Sequence, residues 1–198
     1  ADRLRRLRRT ARDLSNTYLQ SGLLAMIGQY LGGEDDSRFG DVLERPLQNG
    51  VFEKNDKYGS GTPVIWVDNL YHTISIDTDR LRRAELDEGA IKKYEVVGGD
   101  LLFTRSSLVR EGIGQVNIVP DLSERTTFEC HIIRARVNRQ VADPYYILGL
   151  YRSTFGKRAI LRRSKTATMT TIGQDGIGSL PCPVPPLPLQ QQFAHIVH

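Results

Sequence analysis

The sequence predicts a domain of mixed α and β structure, in which a long helix precedes short strands and further helices lie toward the C terminus. Three observations support this. Apolar residues recur at helical spacing over residues 1–31, short apolar runs alternate with polar and glycine-bearing turns in the middle, and a proline-rich segment leads into a C-terminal amphipathic stretch. The 198 residues are enough for one good-sized domain with its own core.

Residues 1–31 predict a long helix, because no proline interrupts them and Gly32 and Gly33 then end it. One apolar seam steps by three and four residues and consists of Leu4, Leu7, Ala11, Leu14 and Tyr18. Six arginines accompany this seam, and the spacing is typical of a helix that pairs with another helix. A second stripe, from Leu19 to Tyr30, is predicted to pack on the chain's own domain. A single amphipathic helix on one core is the alternative.

The stretch Gly98–Leu108 is the central element of the predicted domain. Its two glycines and Asp100 predict a turn, and the apolar run that follows has the length of one buried strand. The strand ends in four hydrogen-bonding side chains, Thr104–Ser107. Arg105 has a planar fork of donors that fits a phosphate or the edge of guanine. A strand end with a surface salt bridge is the alternative interpretation.

Further strands are predicted at residues 64–67 and 115–119, and a short helix at residues 85–93. Residues 127–139 give the longest strand signal, but their apolar phase changes midway, which indicates a bulge or a crossing between two packed surfaces. This pattern places Arg134 and Arg136 on an exposed face. Asp143 and the proline after it are typical of a helix start, and this helix is predicted to run toward Gly156.

Charge is unevenly distributed along the chain. Residues 1–31 carry +4, residues 32–100 carry −6 and residues 101–198 carry +6, which gives the net charge of +4. A basic second half is typical of a nucleic-acid-binding protein. Basic and hydroxyl side chains within it suit phosphate oxygens, although a solvated surface loop is the alternative. The predicted DNA-binding residues are Arg105, Ser106, Ser107, Lys157, Arg158, Arg162, Arg163, Lys165 and Thr170.

Other classes of protein find little support in the sequence. No run of eighteen apolar residues exists, so no membrane span is expected. Cys130 and Cys182 are the only cysteines, and the histidines do not stand at zinc-finger spacing from them, so no metal site is predicted. No familiar catalytic motif occurs, which makes an enzyme a weak interpretation and leaves no predicted catalytic residue. A reduced, cytoplasmic protein is expected.

Four stretches, taken in order, resemble the DNA specificity (S) subunit of type I restriction–modification enzymes. They are GTPVIWVDNL (residues 61–70), YEVVGGDLLFTRSSL (94–108), TTIGQDGIGSL (170–180) and LPCPVPPLPLQQQFAHI (180–196). The last is the most specific, because a proline-rich entry leads into a glutamine-containing start of a helix. The family more often has Glu-Gln where this chain has Gln191 and Gln192.

The resemblance implies an α+β fold, with an irregular, curved β-sheet recognition domain, a long N-terminal helix and the start of a C-terminal helix. It implies a spacer helix at residues 1–31, a target recognition domain at 32–180, and a linker with the start of a second helix at 181–198. Such a domain reads one half of a bipartite site in double-stranded DNA and docks the methyltransferase (M) subunit and, through the complex, the restriction (R) subunit. No cofactor is expected on this chain, and S-adenosylmethionine and ATP are expected on the partner subunits.

In the family arrangement the second helix runs antiparallel to the first, and its predicted pairing residues are Leu189, Phe193 and Ile196. It is long enough to cover only the near end of the first helix, around residues 19–30. The seam that begins at Leu4 is therefore predicted either to pair with a second molecule, as a homodimer, or to fray. Two other functions stay open. One is a DNA methyltransferase or nuclease fragment with its own catalytic site, and the other is a helix-mediated scaffold without a role on DNA.

Overall fold

A computed structural model describes residues 2–30, 37–54, 57–71 and 75–197. The helices are α1 Asp2–Ile27, α2 Glu88–Tyr94, α3 Pro144–Arg152, α4 Thr154–Arg163, α5 Gln174–Gly178 and α6 Leu187–Val197. The strands are β1 Gln48–Asn49, β2 Tyr58–Ile65, β3 Arg82–Ala84, β4 Leu101–Thr104, β5 Ser106–Ser107, β6 Val116–Ile118, β7 Thr127–Phe128, β8 Ile132–Ala135, β9 Lys165–Thr166 and β10 Thr170–Thr171. The predicted α+β class is confirmed.

The strands form three separate sheets. The largest is antiparallel with the order β1-β8-β4-β6, and a second has the order β3-β2-β7, in which β2 and β7 are parallel. The third, called the small sheet below, is antiparallel with the order β5-β10-β9. Such short strands in separate sheets make the irregular sheet domain that the sequence predicts.

The central strand β4 is buried on both faces. Leu101 and Phe103 point into the larger core cluster, whereas Leu102 lies in a second cluster with Phe128 and Ile132. A strand covered on both sides has no polar alternation, which explains the continuous apolar run in the sequence. The end of β4 is therefore held in place on both faces, and it fixes the position of the backbone of the polar residues that follow.

The phase change in residues 127–139 comes from a chain reversal between two strands. β7 belongs to the sheet of β2, and after a turn β8 joins the largest sheet. The predicted crossing is thus confirmed, but the predicted exposure of Arg134 and Arg136 is wrong. Arg134 is 3% exposed and donates to the Glu95 carbonyl at 2.6 Å and to the Gln48 side chain. Burial lowers the pKa of Arg134 below its ordinary value.

Arg136 forms an ion pair with the buried carboxylate of Asp100. Its Nε and Nη2 donate to the two oxygens of Asp100 at 2.7 and 2.8 Å. This hydrogen bonding raises the pKa of Arg136 above its ordinary value. Asp100 also accepts from the Val97 N–H at 2.9 Å, so the carboxylate closes the predicted turn before β4. Gly99 adopts φ +92°, which only glycine adopts easily, and a Cβ there would meet the Arg139 guanidinium at 2.2 Å.

The helix predicted to run from Asp143 toward Gly156 is divided in two at Ser153. The Ser153 hydroxyl accepts from the Gly156 N–H at 3.2 Å and caps α4, because the chain turns there. A Cβ on Gly156 would lie 2.3 Å from the Leu150 carbonyl oxygen, so this glycine allows the two helices to approach closely. The helical period then orients the basic residues of α4, which the sequence pattern had not assigned to a helix.

The ends of the chain pack together over part of α1. Leu23 and Ile27 are buried in the same core cluster as Phe193 of α6. By contrast, Leu4 is 62%, Leu7 57% and Tyr18 70% exposed. Among the described side chains, the short helix therefore covers the near end of α1 and leaves Leu4, Leu7 and Tyr18 exposed, as expected. The side chains of Ala11, Leu14 and Ile196, and the predicted boundary near residue 31, lie outside the described residues.

The boundary near residue 180 and the pairing of two molecules stay predictions. No helix in the described part of the chain has the length and apolar character to cross a membrane.

Candidate nucleic-acid interface

The small sheet brings three sequence-predicted stretches side by side. Ser106 pairs with Thr171, and Thr171 pairs with Lys165, so these three residues form one row across the sheet. Ser107, Thr170 and Thr166 form the next row. Because side chains directly opposite in an antiparallel sheet share a face and neighbouring rows alternate, the two rows point to opposite faces.

The two rows differ in what their hydroxyls contact. In the second row, the Ser107 hydroxyl donates to the Val109 carbonyl at 2.7 Å, and the hydroxyls of Thr166 and Thr170 bond at 3.1 Å. In the first row, Thr171 and Lys165 are exposed and Ser106 is half-buried. None of these three has a side-chain partner among the described residues. The first row therefore offers its polar atoms to a ligand.

Thr170 is a correction to the predicted site. Its side chain is 2% exposed and its hydroxyl is bonded to Thr166, so it does not reach a ligand on the surface. Thr171, one residue further along, occupies the position that Thr170 was expected to have. Sequence reasoning missed Thr171, because the face of a residue in a two-residue strand depends on its register with strands far away in the sequence.

Arg105 connects β4 to the small sheet and is held by its backbone from both sides. Its N–H donates to the His131 carbonyl at 2.9 Å, and its own carbonyl accepts from the Ile172 N–H at 2.9 Å. Nη1 of the half-buried side chain approaches the Cys130 carbonyl at 3.4 Å, which leaves most of its donors available. The turn between β7 and β8 thus fixes the position of the arginine.

Helix α4, which comes just before β9 in the chain, carries two exposed basic side chains. Arg158 and Arg162 are exposed and lie four residues apart, so they share one face of the helix, while Ala159 and Ile160 are buried on the other side. Lys165 begins β9 two residues after α4 ends. The basic helix and the exposed row of the small sheet are therefore neighbours along the chain.

Two predicted site residues are engaged inside the protein. Nζ of Lys157 donates to the Ile113 carbonyl at 2.7 Å, and burial lowers the pKa of Lys157 below its ordinary value. This contact corrects the expectation that Lys157 is a free phosphate ligand. Nε of Arg163 donates to the Ser179 hydroxyl at 3.1 Å and so ties α4 to α5, although its remaining donors stay available.

Some exposed arginines outside this surface are held in ion pairs. Arg82, Arg83 and Arg125 are exposed to about half and each is paired with a carboxylate, at 3.0, 2.6 and 2.6 Å respectively. Within the described residues, no such pair involves the basic side chains of α4 and the small sheet or the arginine that leads into that sheet. The unpaired cations of this surface are Arg105, Arg158, Arg162, Arg163 and Lys165. A cluster of unpaired cations beside free hydroxyls suits a polyanion.

Known proteins resemble this chain in sequence and in fold. The protein named as the type I restriction enzyme MjaX specificity subunit of Methanocaldococcus jannaschii is 30% identical over 159 residues, which is 79% of this chain and 37% of that protein. The type I restriction enzyme EcoKI specificity subunit of Escherichia coli is 29% identical over 132 residues, 66% of this chain and 27% of that protein. No family model matches the chain.

Two solved structures share the fold. The HsdS subunit of Thermoanaerobacter tengcongensis superimposes with a TM-score of 0.55 at 14% identity, over 98% of this chain and 48% of that one. A chain from a study of complex assembly and conformational transition of the type I R-M system gives a TM-score of 0.59 at 15% identity, with the same shares. The fold and the sequence together define a specificity-subunit domain.

The chain belongs to the specificity subunits of type I restriction enzymes, and it spans 37% and 27% of the length of the two curated relatives. The resemblance stated from the sequence motifs is confirmed. So is the preference for a specificity subunit over an enzyme, since both relatives carry that name.

Proposed function

We propose that this chain binds double-stranded DNA through the exposed row of the small sheet and the outer face of α4, and that it recognises one half of a bipartite site. The observation that carries the proposal is the row of Ser106, Thr171 and Lys165, whose side chains have no partner among the described residues, together with the exposed and unpaired arginines of the helix just before it. Arg158, Arg162 and Lys165 contact phosphates, because they are exposed and lack acidic partners among the described residues. The names of the curated relatives agree with a role in recognition.

We assign base recognition to Arg105, which directly follows β4. Arg105 has a fixed backbone and a fork of donors that matches the acceptor edge of guanine. Ser106 and Thr171 add hydroxyls on the row beside it. Because the backbone of Arg105 is hydrogen-bonded on both sides, fewer degrees of freedom are lost on binding, which favours specificity at this position.

The test is a fluorescence-anisotropy titration of DNA with the chain at several salt concentrations. Each phosphate contact contributes about 0.9 to the slope of log affinity against log salt, so Arg158→Gln and Arg162→Gln should each lower the slope by roughly that amount. Arg82→Gln is the matched control, since Arg82 is exposed but paired with Asp68 outside this surface. Equal slopes for all three variants and the unaltered chain would rule out this surface.

Affinity of the chain alone is expected to be low. A domain that contacts half of a site, without its partner subunits, should bind in the non-specific range of about 10⁻⁴ to 10⁻⁶ M at physiological salt. Tight, sequence-specific binding by the monomer is the opposite outcome and would contradict recognition of a half-site.

Partners complete the proposed activity. The chain docks a methyltransferase (M) subunit and, through the complex, a restriction (R) subunit, and it holds no cofactor of its own. S-adenosylmethionine and ATP bind to those partners. Calorimetry should therefore detect S-adenosylmethionine binding to the complex with the M subunit and none to the isolated chain.

A further inference from the structure

The turn between β7 and β8 gathers three metal-ligating side chains that the sequence spacing had not indicated. Among the described residues, Glu129, Cys130 and His131 place one ligand atom each within 4.8 Å of the others. The Cys130 Sγ lies 3.4 Å from the His131 Nδ1, the Nδ1 lies 2.9 Å from the Glu129 Oε2, and the Sγ lies 3.8 Å from the Oε2. Consecutive residues converge here because the chain reverses direction within the turn.

This triangle has the dimensions of one face of a tetrahedral zinc site. Zinc bonds of about 2.0 to 2.3 Å at tetrahedral angles place the ligand atoms about 3.2 to 3.6 Å apart. The three observed separations differ from this range by small side-chain movements only. The thiolate, imidazole and carboxylate are also the ligand set that zinc and cobalt(II) accept in proteins.

The turn is already fixed in the shape that a metal site needs. The Ile132 N–H donates to the Glu129 carbonyl at 3.1 Å and closes the turn, and the Glu129 N–H donates to the Ile65 carbonyl of β2 at 3.0 Å. The Glu129 carboxylate accepts from the His131 N–H at 3.0 Å and is 6% exposed. The His131 side chain is 58% exposed, which gives an ion a route into the site.

We propose that Glu129, Cys130 and His131 bind one divalent transition-metal ion, with zinc as the fitting species. Three protein ligands leave the fourth tetrahedral position to water or to an exogenous ligand. The carbonyls of Cys130 and His131 are the same groups that hold Arg105. An ion at this turn therefore stiffens the mount of that arginine.

Cobalt(II) is the probe, added to the full chain in the reduced state without DNA, so the result does not depend on the proposed function. The chain should take up a single equivalent and gain the near-ultraviolet charge-transfer absorption of a cobalt–thiolate bond, which zinc then removes. Loss of an outer partner weakens metal affinity about 10- to 100-fold, so loss of a ligand in Cys130→Ser or His131→Gln should weaken it at least about 100-fold. Cys130→Ser should also abolish the absorption.

His195→Gln is the matched control, because His195 is exposed on α6. Cys182 remains in every variant and is fully buried, so it does not supply the thiolate signal. Circular dichroism of each variant verifies the fold. We expect His131→Gln to fold normally, because the His131 side chain is 58% exposed. The proposal is wrong if the unaltered chain shows no cobalt–thiolate absorption, or if Cys130→Ser binds cobalt as tightly as the unaltered chain does. The proximity of the three side chains would then reflect only the hydrogen bond between Glu129 and His131.

Discussion

At the scale of the residue, the polar side chains of the central motif divide into those that build the domain and those that face outward. Asp100 is 1% exposed, and its carboxylate accepts hydrogen bonds from Nε and Nη2 of Arg136 and from the Val97 N–H. Arg105, five residues later, leaves most of its donors available. Asp100 thus fixes the turn before β4, and β4 in turn fixes the position of Arg105.

Replacing the buried carboxylate should destabilise the protein strongly. Asp100→Asn leaves the Arg136 guanidinium, whose side chain is 16% exposed, without a counter-charge. Breaking a buried ion pair from one side costs about 3–5 kcal/mol, and we expect the lower end of that range because Arg136 touches solvent. The free energy of unfolding in urea measures this loss.

Asp68→Asn is the control for the ion pair. It breaks a pair of comparable length with Arg82, in which the Asp68 and Arg82 side chains are 63% and 54% exposed, and it leaves Arg82 over the Trp66 ring. Exposed pairs contribute about 0–1 kcal/mol, so the free energy of unfolding should hardly change. Equal losses in the two variants would show that burial does not determine the importance of the Asp100–Arg136 pair.

The register of the small sheet makes a sharper prediction about two adjacent threonines. Thr171 is exposed on the row with Ser106 and Lys165, whereas Thr170 is buried and bonded to Thr166. A hydrogen bond contributes about 0.5–1.5 kcal/mol, so Thr171→Ala should weaken DNA binding roughly 2- to 10-fold with unchanged stability.

Thr170→Ala should do the reverse, lowering the free energy of unfolding by about 1 kcal/mol while DNA affinity stays unchanged. Anisotropy titrations and urea unfolding of both variants provide the two measurements. The opposite assignment of the two effects would mean that the exposed row of the small sheet is not the binding face.

At the scale of the element, the sequence predicted well where one periodicity runs over many residues. The long helix α1, the buried strand β4 and the start of α6 were all expected, because each has a repeated apolar pattern or a proline entry. The strands at 127–135 show why other assignments were wrong. The apolar phase changes at the turn of Cys130 and His131, but β8 is then covered on both faces. Arg134 is therefore buried, and Arg136 turns to Asp100 with 16% of its side chain exposed.

The uncovered half of α1 predicts association between molecules. Leu4 and Leu7 are more than half exposed, and an exposed apolar seam on a lone helix favours pairing with another helix. The double variant Leu4→Ser, Leu7→Ser should lower the average mass in light scattering toward that of the monomer. Leu108→Ser is the control, because Leu108 is 84% exposed but lies far from α1 in sequence, after β5. A monomer at all concentrations before any substitution would contradict the pairing.

Across the whole molecule, the charge distribution along the sequence does not separate cations that hold the fold together from cations at the surface. In the basic second half, Arg134 and Arg136 bind groups inside the protein. Arg158 and Arg162 are instead exposed at the surface. Net charge does not distinguish these, because the difference is set by contacts between distant strands. The division into three sheets was not predicted for the same reason, since strands of two residues have too little pattern to specify their partners.

The most direct test of the proposed binding surface is a lysine footprint, in which an acylating reagent modifies the chain with and without DNA and mass spectrometry reports each site. Lys165 lies on the exposed row of the small sheet, whereas Lys92 and Lys93 are exposed on α2 in the acidic part of the chain. DNA should protect Lys165 and leave Lys92 and Lys93 as reactive as before. Protection of Lys92 and Lys93 with unchanged reactivity at Lys165 would contradict the account.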